Sequence, residues 1–435
     1  MTDTRILANK AMDRATVRLI PFLTLMYVMS FLDRSNIGFA KDFLATDIGI
    51  SPETFALGAG LFFFGYSVFE IPSNMAMHYV GARRWLARIM ITWGMAAAAF
   101  AVITSETGFL LMRVLLGIAE AGFFPGVVVF MSYWFTKDRR AKINGLFYYS
   151  TPVAFIIGGP LSGGLIEYMD GFMGWKGWQW MFAVEGLGAS VIGIIALFYL
   201  TDKIEKAHWM PDNEKAALTE VLAAEGSEKE ARHGNPFKIL MYPKVVFLCC
   251  CYFCFNWGFY GANFFMPTQV AAFMGSQVNF FVGMVSTIPW LISCGFIFFF
   301  TTRSYKTGNI ATLVSLGLAC ASCGIVLSSV SSPTLGIIGL GIGVGGILAA
   351  MPIFWTIPAR FLSGLELALA VAMINSVGVL GGWVAPIARQ WCTTNIGPEW
   401  GLYVLAVPPM IAAGLVLMTI KMGIGSNVLK ESSAN

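Results

Sequence analysis

The chain has 435 residues, of which 57% are hydrophobic and only 12% are charged, with a mean hydropathy of +0.71. A soluble domain carries about 25% charged residues, so this composition excludes an ordinary soluble enzyme and indicates a polytopic membrane protein. The net charge of +4 does not indicate nucleic-acid binding, because the basic residues are spread over the loops and form no patch. We therefore expect a lipid bilayer as the environment and no nucleic-acid partner.

Twelve apolar runs are long enough to cross a bilayer as helices, since one span needs about 20 residues. Segments of about ten residues with alternating hydrophobicity, which are typical of an outer-membrane barrel, are missing from the sequence. The expected fold is therefore all-α. In chain order the spans are predicted at 17–38, 53–77, 84–104, 107–131, 143–167, 178–201, 245–270, 279–301, 309–329, 332–357, 365–388 and 400–421.

Lys and Arg are concentrated in the N-terminal tail and in every second loop. Cytoplasmic loops carry such an excess, so the pattern predicts that both termini are cytoplasmic. The first apolar run is too long for a signal peptide and has no small-residue cleavage site, so we expect it to remain as an anchor. The sequence thus predicts a multi-pass protein of the plasma membrane.

A polar segment at 202–243 divides the apolar runs into two sets of six. It predicts a cytoplasmic linker between an N-terminal half, 1–201, and a C-terminal half, 244–435. The middle of the segment, 212–224, can form a solvated amphipathic helix. The two halves show a weak internal repeat, because a Gly turn with cations follows both the second and the eighth span. This repeat indicates two pseudo-symmetric six-helix units.

Four charged residues are predicted to lie at membrane depth. Asp33 and Arg34 are adjacent in the first span, and Arg113 and Glu120 are two turns apart on one face of the fourth. An ionised side chain inside hydrocarbon costs roughly 2.5–3.5 kcal/mol on insertion scales, so such residues indicate a functional site. We expect Asp33, Arg34 and Arg113 at similar depth around one cavity, with Glu120 nearer the midplane.

This charged set has two interpretations. In one, an anionic substrate takes a guanidinium away from its carboxylate, and the released carboxylate binds a proton, which couples anion binding to proton uptake. In the other, the charges form a buried ion-pair network that only holds the first span against the fourth. Intramembrane ionisable groups mostly mark substrate or proton pathways, which favours the first interpretation.

Several motifs carry a family resemblance: Asp33-Arg34-x-Asn36, the 66–74 segment with its Ile-Pro-Ser-Asn end, Arg113-x3-Gly-x2-Glu120 and the 178–186 segment. Together they resemble the major facilitator superfamily and, within it, the anion:cation symporters. These include bacterial transporters of hexuronate, galactonate, tartrate, phthalate and hydroxyphenylacetate, and vesicular glutamate and sialic acid carriers. The resemblance implies a transporter and not an enzyme, a bacterial inner-membrane location and a monomer.

The resemblance also implies roles for single residues. Asp33 and Glu120 match acids thought to carry protons, Arg34 matches the arginine that binds the substrate carboxylate, and Arg113 matches the structural or charge-relay partner of the acids. Four further residues are substrate-binding candidates: Tyr66 as an aromatic cavity residue, Asn375 as an amide that bonds hydroxyls, Thr151 where some relatives have glutamine, and Trp355 as a stacking surface for a ring.

A gate is predicted at the cytoplasmic side. Glu70 lies about two turns inside the second span, where it can pair with loop cations such as Arg83 or make a structural contact. The superfamily usually has an aspartate three residues before the Gly of this loop, and here that position is His78. We therefore expect a gate that differs from the usual latch.

Two patterns invite cofactor interpretations that the sequence does not favour. The thiols of Cys249, Cys250, Cys251 and Cys254 point about 100° apart in a helix and cannot converge on one metal ion. The GxGxxG pattern at 341–346 falls inside an apolar helix and not after a strand, so close helix packing explains its glycines. We expect no cofactor and no metal.

The sequence predicts proton-coupled uptake of a small organic carboxylate, such as a sugar acid, tartrate or an aromatic acid, by alternating access. The substrate and the proton are the expected partners. Three alternatives stay open: an exchanger of organic anions, an anion channel, and a sensor on the same fold.

Overall fold

The computed structural model describes residues 2–136, 139–140, 143, 147–227, 239, 241–330, 332–362 and 364–423, and the regular structure in this part of the chain is helical. Among the described residues of the N-terminal half, the α-helices are α1 (Thr2–Ile48), α2 (Pro52–Val80), α3 (Ala82–Ala99), α4 (Glu106–Glu120), α5 (Phe123–Ser132), α6 (Ser150–Tyr168) and α7 (Gly177–Tyr199). The linker contributes α8 (Asp212–Ser227), and the linker residues 228–238 and 240 lie outside the described residues.

The C-terminal half follows the same alternation of long helices and short turns. Its helices are α9 (Pro243–Asn263), α10 (Met266–Phe273), α11 (Phe280–Val285), α12 (Thr287–Thr307), α13 (Ile310–Leu327), α14 (Pro333–Phe354), α15 (Gly364–Gly378), α16 (Leu380–Asn395) and α17 (Trp400–Lys421). In the described part of the chain, eleven helical stretches are long and apolar enough to cross a membrane. The all-α membrane fold predicted from the sequence is confirmed.

The predicted spans correspond to these helices with three kinds of difference. The fifth span corresponds to α6, which is rich in glycine and small polar residues and is not among the eleven. The first span was predicted too short, because α1 continues from the N-terminal tail. The fourth span is broken between α4 and α5, where Gly122 has a φ of 85° and a Cβ would lie 2.5 Å from the Ser73 hydroxyl.

The sequence predicted a solvated linker helix, but α8 packs against α1. Arg14 of α1 donates to Glu214 at 3.0 Å, and Leu218 is fully buried. Because α1 extends about four turns before its predicted start, it offers α8 an apolar surface that the span boundaries did not reveal. We call the side of the bundle that carries α8 the linker end, and the opposite side, with the turns at 49–51 and 396–399, the distal end.

Glycines bring the backbones of the two halves into close contact toward the distal end. A Cβ on Gly159 of α6 would lie 2.5 Å from the Gly283 carbonyl oxygen, and one on Gly163 would lie 2.5 Å from that of Asn279. On the other side of the bundle, a Cβ on Gly60 would lie 2.3 Å from the Trp383 carbonyl oxygen. These contacts require glycine and close the distal side of the space between the halves.

Glycines also join helices within the C-terminal half. A Cβ on Gly346 of α14 would lie 2.3 Å from the Gly317 carbonyl oxygen of α13. The GxGxxG pattern therefore lies inside a helix and serves close packing, as the sequence predicted.

Candidate functional site

A cavity lies between the two halves and is lined mainly by aromatic side chains. Both halves contribute, which is the position expected for a site that is exposed alternately to the two sides of a membrane. The lining residues are Tyr27, Phe31, Arg34, Phe63, Tyr66, Phe124, Tyr148, Thr151, Tyr252, Asn256, Phe259, Tyr260, Leu348, Met351, Asn375 and Val379.

The charged centre of the cavity is the pair Arg34 and Glu120. The Arg34 Nε donates to Glu120 Oε1 at 2.8 Å, and its Nη1 donates to the Tyr260 hydroxyl oxygen at 3.0 Å. Ser30 also donates to Glu120 Oε1, at 2.6 Å, whereas Oε2 has no hydrogen-bond partner among the described residues. The side chain of Arg34 is 6% exposed and that of Glu120 is fully buried, so the ion pair is largely removed from water.

Aromatic rings surround the Arg34 guanidinium. Its central carbon lies 5.2 Å from the centroid of the Tyr66 ring, 5.3 Å from that of Phe62 and 5.4 Å from that of Phe31. Cation–π attraction at such distances stabilises a desolvated guanidinium. The rings therefore help to keep a positive charge beside the cavity.

Asp33 does not face this cavity, which corrects the expectation of one shared site. Its Oδ2 accepts a hydrogen bond of 2.8 Å from the Trp93 indole of α3, inside the N-terminal half. Adjacent residues on a helix point about 100° apart, so Arg34 and Asp33 cannot both face the space between the halves. The sequence placed the two charges at the same depth but not on different faces of α1.

Arg113 does not pair with an acid in the described structure. Its Nε donates to the Gly58 carbonyl at 2.9 Å, and its Nη2 donates to the Ala59 carbonyl at 3.2 Å. The glycines of α2 and α4 let these helices pack closely, which brings α2 carbonyl groups to the guanidinium, while Glu120 is taken by Arg34. The expected contact of Arg113 with the acids is therefore wrong, and the residue ties α4 to α2.

Three of the four predicted substrate-binding candidates line the cavity: Tyr66, Thr151 and Asn375. Trp355 is not among the lining residues. Its ring packs edge-on against Tyr252, with 4.8 Å between centroids, so it supports the wall from behind.

Glu70 bridges the halves on the linker side of the cavity, one turn beyond Tyr66. Its carboxylate accepts hydrogen bonds from the Asn375 amide, at 2.5 Å, and from the Ser376 hydroxyl, at 2.6 Å. Of the two possibilities given for Glu70, the structural contact is the one seen among the described residues, because its side chain is fully buried and bonds α15 instead of loop cations.

The two loop residues of the predicted gate lie elsewhere. Arg83 contacts Asp202, the first residue of the linker: the backbone N–H donates to Oδ1 at 2.6 Å, and the guanidinium Nε is 3.7 Å from Oδ2. His78 is exposed on the last turn of α2. Neither makes a contact across the halves among those described, whereas Glu70 and Ser67 do: Ser67 donates to the Ser376 carbonyl oxygen at 2.7 Å.

Sequence reasoning missed the wall that α9 contributes. Tyr252, Asn256 and Tyr260 follow one another at intervals of four residues and line the cavity together. This polar stripe in an apolar helix was a usable signal, since residues four apart share a face. The sequence analysis also gave no role to Glu185 of α7, which is buried and accepts hydrogen bonds from Asn36 and Ser162.

The cysteines of α9 differ in their surroundings. Cys249 and Cys251 are buried, Cys254 is partly buried and Cys250 is exposed. This distribution follows from their positions around one helix and gives them no common ligand direction.

Comparisons with known proteins identify the family. The model of the Major Facilitator Superfamily matches residues 23–386. The chain is 40% identical over 416 residues to the "Inner membrane transport protein RhmT" of Escherichia coli (strain K12), covering 95% of this chain and 96% of the relative. It is 36% identical over 414 residues, 95% of each chain, to a protein of Agrobacterium vitis named as a tartrate transporter.

A solved structure agrees with the fold. The inward-facing, unoccupied bacterial homologue of the human lysosomal transporter Spinster superposes with a TM-score of 0.69 at 15% identity, covering 93% of this chain and 96% of that one. The relatives are transporters and not enzymes, and they are consistent with the resemblance to anion:cation symporters. The chain belongs to the major facilitator superfamily and is a multi-pass membrane transporter.

Proposed function

We propose that the protein takes up a small organic carboxylate together with protons by alternating access. The observation that carries this proposal is the buried Arg34–Glu120 pair at the wall of the cavity between the halves. A guanidinium presents a planar fork that matches a carboxylate, so Arg34 is suited to bind the anionic group of a substrate. The name of the Agrobacterium vitis relative agrees with such a substrate.

The pair also supplies a route to proton coupling. A substrate carboxylate that binds the Arg34 fork competes with Glu120 for the same N–H donors. Glu120 would then be a buried carboxylate without its cation, which is costly, and binding a proton removes that charge. The structure leaves Oε2 of Glu120 without a described partner, and this oxygen is the one we assign to the proton.

Neutral groups opposite Arg34 are suited to recognise the rest of the substrate. Tyr252, Asn256 and Asn375 come from the C-terminal half and line the same cavity. Hydroxyl and amide groups of this kind can bond the hydroxyls of a sugar acid or of tartrate, and the surrounding rings can pack on an aromatic acid. The N-terminal half would thus bind the anionic group of the substrate, and the C-terminal half would recognise the rest of the substrate.

Glu70 is proposed as the gate on the linker side. Its bonds to Asn375 and Ser376 join the halves directly below the cavity, and Asn375 is itself a cavity residue. A substrate that hydrogen-bonds to the Asn375 amide would therefore displace Glu70 and weaken this cross-half contact. Arg83 would act only indirectly, by holding the start of α3 on Asp202.

The orientation follows from the charge pattern. The excess of Lys and Arg in the tail and in alternate loops supports a cytoplasmic location for the linker end and both termini. The Escherichia coli relative is named an inner membrane protein, and we propose the same membrane for this chain. A monomer is sufficient, because both walls of the cavity come from one chain.

Substrate binding by Arg34 is tested by thermal-shift measurements on the purified protein. Tartrate, sugar acids and phthalate are compared with uncharged analogues, on wild type, Arg34→Lys, Arg34→Ala and the control Arg303→Ala, which removes an exposed cation. We expect at least one carboxylate to stabilise wild type and the control but not Arg34→Ala. Losing a buried charge pair to a ligand costs about 2–5 kcal/mol, or roughly 30-fold or more in affinity.

Arg34→Lys keeps the charge but loses the fork, so we expect it to bind more weakly than wild type. Undiminished stabilisation of Arg34→Ala by the same acid would contradict the assignment. Transport in liposomes then separates symport from its rivals. Trans-stimulated exchange without a pH requirement would favour the exchanger, and a current that does not saturate with substrate would favour a channel.

A further inference from the structure

A second, smaller pocket lies between the two halves on the distal side of the central cavity. We call it the distal pocket. The N-terminal half contributes Ser35 of α1 and Phe155 of α6 to its walls, and the C-terminal half contributes Asn263, Ser286 and Trp290. The distal pocket and the central cavity have no lining residue in common, so the two are separate spaces.

Aromatic rings separate the distal pocket from the central cavity. Phe155 and Trp290 come from opposite halves and stack with 3.8 Å between their centroids and 13° between their planes. On the cavity side, the Phe31 ring lies 5.7 Å from that of Phe155, and the Phe259 ring lies 6.2 Å from that of Trp290. Because the stacked rings belong to different halves, a movement that separates the halves here parts the stack and joins the two spaces.

Glycine contacts close the distal pocket on its other side. On α6, Gly159 lies one turn beyond Phe155 and packs against Gly283 of the C-terminal half. On α1, a Cβ on Gly38 would lie 2.6 Å from the Phe264 carbonyl oxygen. The distal pocket therefore lies on the path that a solute takes to the central cavity when the halves separate at the distal end.

The polar groups of the distal pocket are buried and partly unpaired. Asn263 and Ser286 are each 3% exposed, and neither Nδ2 of Asn263 nor Oγ of Ser286 has a hydrogen-bond partner among the described residues. Ser35 donates to the Leu32 carbonyl at 3.0 Å, which leaves its own oxygen able to accept. Buried polar groups are normally hydrogen-bonded, so unpaired groups around one pocket indicate that the pocket binds a polar group during transport.

The chemistry of the distal pocket suits a hydroxyl group better than a carboxylate. Among the described residues, none that lines it is charged. A hydroxyl both donates and accepts, which matches the amide N–H of Asn263, the hydroxyl of Ser286 and the oxygen of Ser35. The volume of about 10 Å³ admits one group the size of a water molecule. A whole acid therefore fits only after the distal contacts separate.

We propose that the distal pocket is a transient binding site for the hydroxyl groups of an entering hydroxylated carboxylate, before its carboxylate reaches Arg34. This inference rests on the proposed function and narrows its substrate class to acids such as tartrate and the sugar acids. An acid without hydroxyl groups gives Asn263 and Ser286 no partner on the way in. The distal pocket thus favours hydroxylated acids at entry, ahead of any selection in the central cavity.

Uptake rates for matched pairs of acids test this inference. Tartrate is compared with succinate, and gluconate with hexanoate, because the members of each pair share their carbon skeleton and carboxyl groups but differ in hydroxyls. Initial uptake into right-side-out membrane vesicles gives kcat/KM for each acid, and wild type should prefer the hydroxylated member. Ser286→Ala and Asn263→Leu should each lower this preference roughly 2- to 10-fold, the effect of one hydrogen bond.

Two further variants separate the role of the hydroxyl from a change in packing. Ser286→Thr keeps the hydroxyl and should retain most of the preference, whereas the control Ser276→Ala removes an exposed hydroxyl and should leave it unchanged. Thermal stabilisation of Ser286→Ala by the preferred acid should equal that of wild type, because the central cavity is intact. This measurement also shows that the variant is folded.

The possible outcomes distinguish this inference from the proposed function. Wild-type uptake of succinate and hexanoate as efficient as that of the hydroxylated acids would overturn the inference. An unchanged preference in both Ser286→Ala and Asn263→Leu would also overturn it, while Arg34-dependent binding would leave the proposed function standing. Failure of wild type to take up any of the four acids would contradict both.

Discussion

The contact of Glu70 with α15 makes a prediction about the balance between conformations. Glu70 accepts hydrogen bonds from Asn375 and Ser376, and these join the halves on the linker side of the cavity. Removing the carboxylate with Glu70→Ala eliminates both bonds. Because the same side acts as a gate in our proposal, the variant should favour separation of the linker ends of the two halves.

The size of the effect follows from the chemistry of the bonds. A hydrogen bond to a charged group is worth about 1.5–3 kcal/mol, but polar contacts inside membrane proteins average only about 0.6 kcal/mol, because the broken state finds other partners. We take about 1–3 kcal/mol for the pair, which corresponds to roughly a 5- to 150-fold change in the equilibrium between closed and open forms. Glu70→Gln, which keeps an acceptor, should change it less.

Distance measurements between labels on the linker ends provide the assay. Tyr79 at the end of α2 and Tyr305 at the end of α12 are 84% and 87% exposed and lie in different halves. Labels introduced through unnatural amino acids avoid the eight native cysteines. We expect the Glu70→Ala population to move toward longer distances, whereas Glu106→Gln, whose acid bonds Ser51 within one half, should not move it. An unchanged distribution in Glu70→Ala would refute the reasoning.

Two further substitutions test the packing and the site. Gly163→Ala places a Cβ about 2.5 Å from the Asn279 carbonyl oxygen at the distal contact. The variant should therefore destabilise the distal-closed form by about 1–3 kcal/mol. The expected result is greater labelling of probes on the distal side. Gly295→Ala, which meets no atom within 4 Å, is its control. Tyr260→Phe removes the hydroxyl that accepts from Arg34 and should weaken carboxylate binding by about 0.5–1.5 kcal/mol; an unchanged Kd by calorimetry would contradict this role.

The architecture was predictable because its signals are local. Apolar runs of bilayer length predict membrane-spanning helices, and eleven such helices appear in the described part of the chain. The breaks within spans were harder to predict. Gly122 interrupts the fourth span because α5 must begin close to Ser73, a contact between residues nearly fifty positions apart that no periodicity reveals.

The charged residues of the site were predictable as a set, but their partners were not. Hydropathy identifies Arg34, Glu120 and Arg113 as buried charges, and depth along a helix follows from counting residues. Which charge meets which depends on helix rotation and on close packing. Arg113 donates to α2 carbonyl groups because glycines bring α2 close to α4. Asp33 faces Trp93 because the adjacent Arg34 points into the cavity.

Cross-half contacts were the least accessible to sequence reasoning. Glu70 and Asn375 are 305 residues apart in the chain and bond only because the halves fold onto each other. The sequence indicated that both residues were candidates for function but gave them unrelated roles. The structure joins them in one contact, which is the basis for proposing that substrate and gate compete for the Asn375 amide.

The central claim is that Glu120 exchanges Arg34 for a proton when a carboxylate binds. It is tested most directly in liposomes by comparing Glu120→Gln with wild type, using the acid identified by thermal shift. We predict that the variant retains substrate counterflow, which needs no net proton movement, and loses accumulation driven by a pH gradient. Accumulation equal to that of wild type would contradict the account.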